Sequence, residues 1–213
     1  MSETGQPSGP PEGQDGSEQH NEQVRIQHLS ARVPEKVSRG AFSTGAIVMT
    51  GATEFIIDFV QNLGTPASVV SRVIVPHAAM PQFVEALRKN LEMYRQRFGE
   101  PPQLPRNPTP ARQPTAQEIY DELKLPDECL SGAYANGVMI GHTPAEFKFD
   151  FLTNLFPTSA VSARVYLSAP QVPRLYESLQ GTYRQFQQRV QQQQREAQGG
   201  QQPPPEAPPE GPA

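Results

Sequence analysis

Apolar and polar residues alternate along two eight-residue stretches of this chain. From Glu54 to Gln61, Phe55, Ile57 and Phe59 share one face, and Ile56, Asp58 and Val60 the other. From Glu146 to Thr153, Phe147, Phe149 and Phe151 take the first face, and Lys148, Asp150 and Leu152 the second. This period of two predicts half-buried antiparallel strands. After a loop, each stretch is followed by another strand-like run, VVSRVIV (69–75) or VSARVYL (161–167). A hairpin centred on Thr65 or Pro157 sets Asp58 opposite Arg72 and Asp150 opposite Arg164. The same register sets Phe59 opposite Ser71, Ile57 opposite Val73 and Phe55 opposite Val75, so one pairing satisfies both faces.

The runs AIVMT and GVMIG predict one more strand ahead of each hairpin, led by Gly40-Ala41-Phe42 and Gly132-Ala133-Tyr134. Weak alternation from Val24 to Val33 predicts a leading edge strand. Before the second hairpin, Leu123 and Leu125 flank Lys124, and Ile119 and Tyr120 fit a short helical turn. Beyond the hairpins the period changes to that of a helix. Met80, Phe83, Val84, Leu87, Leu91, Tyr94 and Phe98 form one apolar stripe, and Val172, Leu175, Tyr176, Leu179, Tyr183, Phe186 and Val190 a second. Pro81 and Pro173 restrict these helices to starts at or just before them. Gly99 and Pro101 stop the first helix, whereas the Gln-rich extension of the second continues through Ala197 as a fraying helix.

The two halves are copies. An offset of 92 residues superimposes Pro34 to Phe98 on Pro126 to Val190 without a gap, aligning Gly40 with Gly132, Asp58 with Asp150 and Arg72 with Arg164. Self-similarity at a fixed offset marks repeated structural units. The predicted fold is α+β: two tandem copies of a small antiparallel β-sheet followed by an amphipathic α-helix, packed as a pseudo-twofold intrachain dimer. The first repeat spans 23–98 and the second 116–190. Around them lie an acidic tail at 1–22, an exposed Pro-rich linker at 99–115 and a Gln/Pro-rich tail at 191–213. The tails and linker lack the apolar content to offset chain entropy and are read as disordered or semi-extended. Units this small are marginal alone, which predicts a shared core.

Charge adds to that expectation. The segment 24–98 has nine Lys/Arg against five acids, and 116–190 has six against eight, so the repeats carry +4 and −2 and attract each other modestly. Cys129 is the single cysteine, so the fold needs no disulfide or oxidising compartment. With no apolar run of membrane-spanning length and no signal-peptide pattern, the expectation is a cytoplasmic protein without a membrane partner.

Gly-Ala-Tyr-Ala-Asn (132–136), TPAEFKFDF (143–151), Ala163-Arg164-Val165 and Ser168-Ala169-Pro170 resemble the bacterial domain of unknown function 3467 family. Gly40-Ala41-Phe42, TEFIIDF (53–59), Ser71-Arg72-Val73 and YRQRFG (94–99) carry the same resemblance in the first copy. It covers about two-thirds of the chain. It implies a small intracellular protein with no assigned activity; such proteins usually carry one domain, where this chain has two. The strand-strand-strand-helix order is also similar, in topology only, to the SecB export chaperone.

Candidate chemistry is sparse. Asp58 with Arg72 and Asp150 with Arg164 are the repeated charged pairs; they are read as cross-strand structural ion pairs rather than ligand sites. Glu54 and Glu146 open their strands as turn-flanking residues. The four histidines do not recur at the offset, and a catalytic pairing of Cys129 with His142 is disfavoured. No metal or cofactor is expected. Arg88, Lys89, Arg95 and Arg97 make the first helix basic, but three of their four counterparts are uncharged, which argues against a nucleic-acid surface. Surplus apolar residues on the charged face, namely Ile56, Val60, Val70, Ile74, Leu152 and Tyr166, are assigned to the repeat–repeat interface. The expected function is a non-enzymatic protein-interaction adaptor or scaffold with a protein partner. The alternatives are a SecB-like holdase or a nucleic-acid-associated protein.

Overall fold

The computed structural model describes residues 31–105, 115–155 and 157–199. The expectations for residues 1–22, 106–114 and 200–213, and for most of the leading edge strand, lie outside them. In chain order the elements are α1 (Glu35–Ser38), β1 (Ala41–Ser43), β2 (Gly45–Thr50), β3 (Glu54–Gln61), β4 (Ala67–Pro76) and α2 (Met80–Phe98). There follow α3 (Ala116–Asp121), β5 (Leu123–Lys124), α4 (Asp127–Leu130), β6 (Ala133–Tyr134), β7 (Gly137–His142), β8 (Glu146–Thr153), β9 (Ala160–Ser168) and α5 (Val172–Gly199).

Both hairpins adopt the register set by their two-faced pattern. Asp58 pairs with Arg72, Ile57 with Val73 and Phe55 with Val75, and in the second copy Asp150 pairs with Arg164. A shift not evident from the alternation follows Phe59 and again Phe151, where a bulge brings Val69 opposite Val60 and Val161 opposite Leu152. Bulges of this kind increase local twist and re-aim side chains. Here they leave Val69 and Val161 buried beside the incoming segments of the opposite repeat.

The repeats do not build separate sheets. One sheet runs β1-β9-β8-β7, and the other β2-β3-β4 with β5 and β6 both on β4. In each, an antiparallel hairpin from one repeat gains a parallel edge from the other. Ala41 pairs with Val165 and Phe42 with Tyr166; under the offset, Ala133 pairs with Val73 and Tyr134 with Ile74. Arg32 bridges Ala160 as Lys124 pairs with Ser68. Two arms, 32–43 and 124–134, are therefore exchanged reciprocally about a pseudo-twofold axis. At Thr44 and Asn136 each arm leaves its host sheet and enters its own: the Thr44 N–H donates to the Val60 carbonyl (2.8 Å) and the Asn136 N–H to that of Leu152 (2.9 Å). Strands that switch sheets in this way make the corners between two packed sheets.

Glycine makes the crossing feasible. Gly40 and Gly132 have φ of +68° and +66°, in the left-handed region that L side chains rarely occupy. A Cβ at Gly40 would lie 2.6 Å from the Tyr166 ring and 2.8 Å from Arg164 Cγ, and one at Gly132 would lie 2.8 Å from Ile74 Cγ1. The arm backbone thus lies directly against side chains of the other repeat.

The helices cross as well. α2 packs on β7 and α5 on β2, and the two helices touch each other. Phe83 meets Phe149 and Phe151 edge-on, Tyr94 lies against Phe147, and Tyr183 and Phe186 lie against Phe55. Phe59 contacts Phe149 and Phe151 directly. A single core results, shared by both repeats, with Phe55, Ile57, Phe147, Phe149, Leu87 and Leu179 fully buried. Neither repeat owns a complete apolar layer. That is how two units too small to be stable alone reach adequate burial.

α3 starts as its sequence suggests, with a reciprocal cap: the Glu118 N–H donates to Thr115 Oγ1, and the Thr115 N–H to Glu118 Oε2. The expectation of a wholly exposed linker is corrected at its first residues. Pro101 is buried, and Arg174 of α5 donates to the Pro105 carbonyl (3.1 Å) and the Leu104 carbonyl (3.5 Å).

Candidate functional site: latches, groove and corners

The charged pairs sit where the arms dock. Arg72 donates from Nε to Asp58 Oδ1 and from Nη2 to Asp58 Oδ2, both at 2.7 Å. Its Nη1 reaches the carbonyl of Leu130 (3.3 Å), the last residue of α4 on the other repeat's arm. Arg164 repeats the arrangement, bonding Asp150 at 2.6 and 3.0 Å and the Ser38 carbonyl at the end of α1 at 3.0 Å. Each guanidinium therefore ties a strand pair of its own repeat to an arm of the other. Helix-end carbonyls lack intrahelical donors, and an arginine satisfies one of them here. The hydrogen bonds to the carboxylates hold both guanidinium groups charged by raising their pKa above the usual arginine value.

Burial separates these pairs from surface ion pairs. Asp58 is 0% exposed and Asp150 3%. Asp58 has a further partner, the Tyr120 hydroxyl of α3, which donates to Oδ2. Burial first, and the adjacent carboxylate second, push the Tyr120 hydroxyl well above the usual tyrosine range. Asp150 instead has Lys148 Nζ at 3.3 Å. Tyr120 escaped the repeat comparison because its counterpart at the offset is His28. The only signal for it was the aromatic residue in the expected helical turn.

The interface assigned to Ile56, Val60, Val70, Ile74, Leu152 and Tyr166 requires correction. Ile74 and Tyr166 do receive the opposite arm, against Gly132 and Gly40. Val70 lines the groove between the arms. Leu152 is buried and lines a cavity shared with Ala79, Phe83 and Ala86 of the first repeat, so it does lie at the interface; its carbonyl serves Asn136 of its own repeat, as the Val60 carbonyl serves Thr44. Ile56 is half-buried between Met49 and Ile74 in its own sheet. The main interface is the opposite face, the phenylalanine stripe with the crossed helices.

Between the arms, on the pseudo-twofold axis, lies a groove of about 740 Å³ bordered by α1 and α4 with their following turns and by β4 and β9. Arg72 and Arg164 face it from the strands, Lys36 and Arg39 from one arm, and Glu128 from the other. Cys129 is also at its wall, with Sγ 3.7 Å from the Val69 carbonyl. Burial, then Glu128, raise its thiol pKa, so it stays protonated. His142 is elsewhere, among Tyr94, Phe98 and Phe147, and burial followed by Arg97 lowers its pKa. The structure does not bring Cys129 and His142 together. Glu54 caps its turn, accepting from the Thr53 N–H (3.2 Å) and hydroxyl.

Two surface features recur with the pseudo-symmetry. Phe42 and Tyr134, equivalent under the offset, are 45% and 43% exposed, and Leu63 and Leu155, also equivalent, are 72% and 58% exposed. The Gln61 side chain donates to the Phe42 carbonyl (3.1 Å) and the Thr153 hydroxyl to that of Tyr134 (2.7 Å). The carbonyl of each exposed aromatic is thus tied to the end of the strand that runs into its leucine, and the two ends are the equivalent corners of the protein. On α2, by contrast, Arg88 pairs with Glu85 and Glu92, Lys89 with Glu85, and Arg95 with Glu100, which neutralises most of the basic stripe.

Among the described residues no cluster of three or more His, Cys, Asp or Glu has metal-binding geometry, and no helix is long and apolar enough to cross a membrane. No curated protein matches the chain. The model of one family, Protein of unknown function (DUF3467), matches twice, over residues 13–101 and 106–192. The chain belongs to that family and carries its domain in tandem.

Proposed function

We propose that this tandem DUF3467 protein is a non-enzymatic adaptor that engages a protein partner through its two equivalent corners. The observation that carries the reading is the recurrence of exposed Phe42/Tyr134 and Leu63/Leu155 at pseudo-symmetric positions. Exposed aromatic side chains are typical anchors of protein interfaces, and an exposed leucine on the adjoining loop adds apolar surface to each. Two such corners on one rigid core give a bivalent surface, for which avidity exceeds the affinity of either corner. A cytoplasmic setting is part of this proposal.

The holdase alternative needs a broad apolar surface for unfolded clients. The crossed helices and the phenylalanine stripe instead cover each other, and the remaining large exposed apolar residues are few and dispersed. The internal ion pairs of α2 weigh against a nucleic-acid surface.

Affinity capture with the full chain, read by mass spectrometry, tests the adaptor reading. The partner retained by the wild type should be lost from a Phe42→Ala, Tyr134→Ala, Leu63→Ser, Leu155→Ser variant whose melting transition is unchanged. Stoichiometric suppression of aggregation of an unfolding model protein, with strong hydrophobic-dye binding, would put the holdase in its place.

A further inference from the structure

The groove on the pseudo-twofold axis has features that the latches do not require. Each arm pairs with its host strand at two points and lifts away between them into a short helix. On β4 the pairing points are Ala67–Ser68 and Val73–Ile74, and on β9 they are Ala160 and Val165–Leu167. Val70–Arg72 and Ser162–Arg164 consequently have no strand neighbour on that edge among the described residues, and both stretches border the groove. An open strand edge favours a ligand with an extended backbone.

Charge then selects the ligand. Of the groove-lining residues, Lys36, Arg39, Arg72 and Arg164 are cationic and Glu128 alone is anionic. Arg72 and Arg164 already have their carboxylates. Lys36 and Arg39 form no ion pair among the described residues, and both are exposed on the first arm. Their counterparts on the second arm are Glu128 and Ser131, so the two otherwise equivalent walls differ in charge. Pseudo-symmetry supplies the channel, and the divergence of the arms gives it a basic side.

We propose that this groove binds an extended acidic peptide of a partner protein, with its carboxylates against Lys36 and Arg39 and its backbone along the open edges of β4 and β9. The assignment goes beyond the corner-based reading and uses none of its residues. The neutralised basic stripe of α2 provides an internal control of similar charge.

The test is fluorescence polarisation of the full chain with a fluorescein-labelled octapeptide of alternating Glu and Ala. Binding should weaken with added salt and fall about tenfold or more in Lys36→Glu/Arg39→Glu, a change confined to exposed residues. Glu128→Lys should tighten it. Lys89→Glu/Arg97→Glu, the same change of charge on α2, should leave it within about twofold, as should Phe42→Ala/Tyr134→Ala. Absence of binding at millimolar peptide would overturn the proposal. So would equal weakening by the α1-arm and α2 variants, which indicates diffuse polyanion attraction. Stronger competition by a single-stranded oligonucleotide of equal charge would overturn it in favour of nucleic acid. If peptide binding fails while partner capture through the corners persists, only the groove assignment falls.

Discussion

Removing the carboxylate of Asp58 should damage this protein far more than breaking an ordinary surface ion pair. Exposed pairs contribute about 0–1 kcal/mol. Asp58, however, is 0% exposed, and the side chain of its partner Arg72 is 14% exposed. Asp58→Ala leaves a largely buried guanidinium without its carboxylate, facing only the Leu130 carbonyl and the Tyr120 ring, and leaves the Tyr120 hydroxyl without its acceptor. Stranding one member of a buried, hydrogen-bonded pair costs about 3–5 kcal/mol. At roughly 2–4 °C per kcal/mol for a chain of this length, the melting temperature should fall by about 6–20 °C. Urea denaturation followed by circular dichroism measures the free-energy loss directly. The companion variant Asp58→Leu/Arg72→Met removes both charges and should recover most of the loss, since a buried pair contributes little over apolar residues of similar volume. A loss below about 1 kcal/mol for Asp58→Ala would refute the reasoning and return the pair to surface behaviour.

Gly40→Ala and Gly132→Ala should each lower stability by about 1–3 kcal/mol, because both combine a positive φ with a clash against the opposite repeat; thermal melts check this. Tyr120→Phe should cost about 1.5–3 kcal/mol through the lost bond to a buried carboxylate, and absorbance titration should show one tyrosine ionising well above the others in the wild type only. His142 has a lowered folded-state pKa, so the unfolded chain binds its proton more readily. Its contribution is present above the unfolded value of about 6.5 and is lost as pH falls below it. Melting temperatures from pH 7.5 to 5 should therefore decline less steeply for His142→Phe than for the wild type.

How much of this was readable follows from the range over which each residue acts. The hairpin register was legible because two faces constrained it together: a one-residue slip would have broken Asp58–Arg72 and exposed Phe55, Ile57 and Phe59. The helix start at Met80 was legible from Pro81 and the apolar stripe. The exchange of arms was not. Ala41–Ser43 and Ala133–Tyr134 are too short for periodicity to name a partner, and in a repeat the alternative hosts β4 and β9 are near copies of each other. The same degeneracy hid which sheet each helix covers, and so sent part of the interface to Ile56 and Val60 rather than to the phenylalanine stripe. The Asp–Arg pairs were found, but their third contacts, the Leu130 and Ser38 carbonyls, exist only because the arms cross. Lys36 and Arg39 carried no signal, since lone surface cations become informative only once a groove is placed beside them.

The reciprocal exchange of arms and helices within one chain is tested most directly by cutting the chain between its repeats. A protease site inserted between Pro105 and Thr115 allows quantitative cleavage, followed by size-exclusion chromatography with light scattering. The account predicts one particle of intact mass after cleavage, with the circular dichroism spectrum of the uncut protein, which separates into halves only in denaturant. Each half taken alone lacks a sheet edge and a helix cover, so it should be unfolded or self-associated. Two halves that elute separately as folded monomers would contradict the shared core.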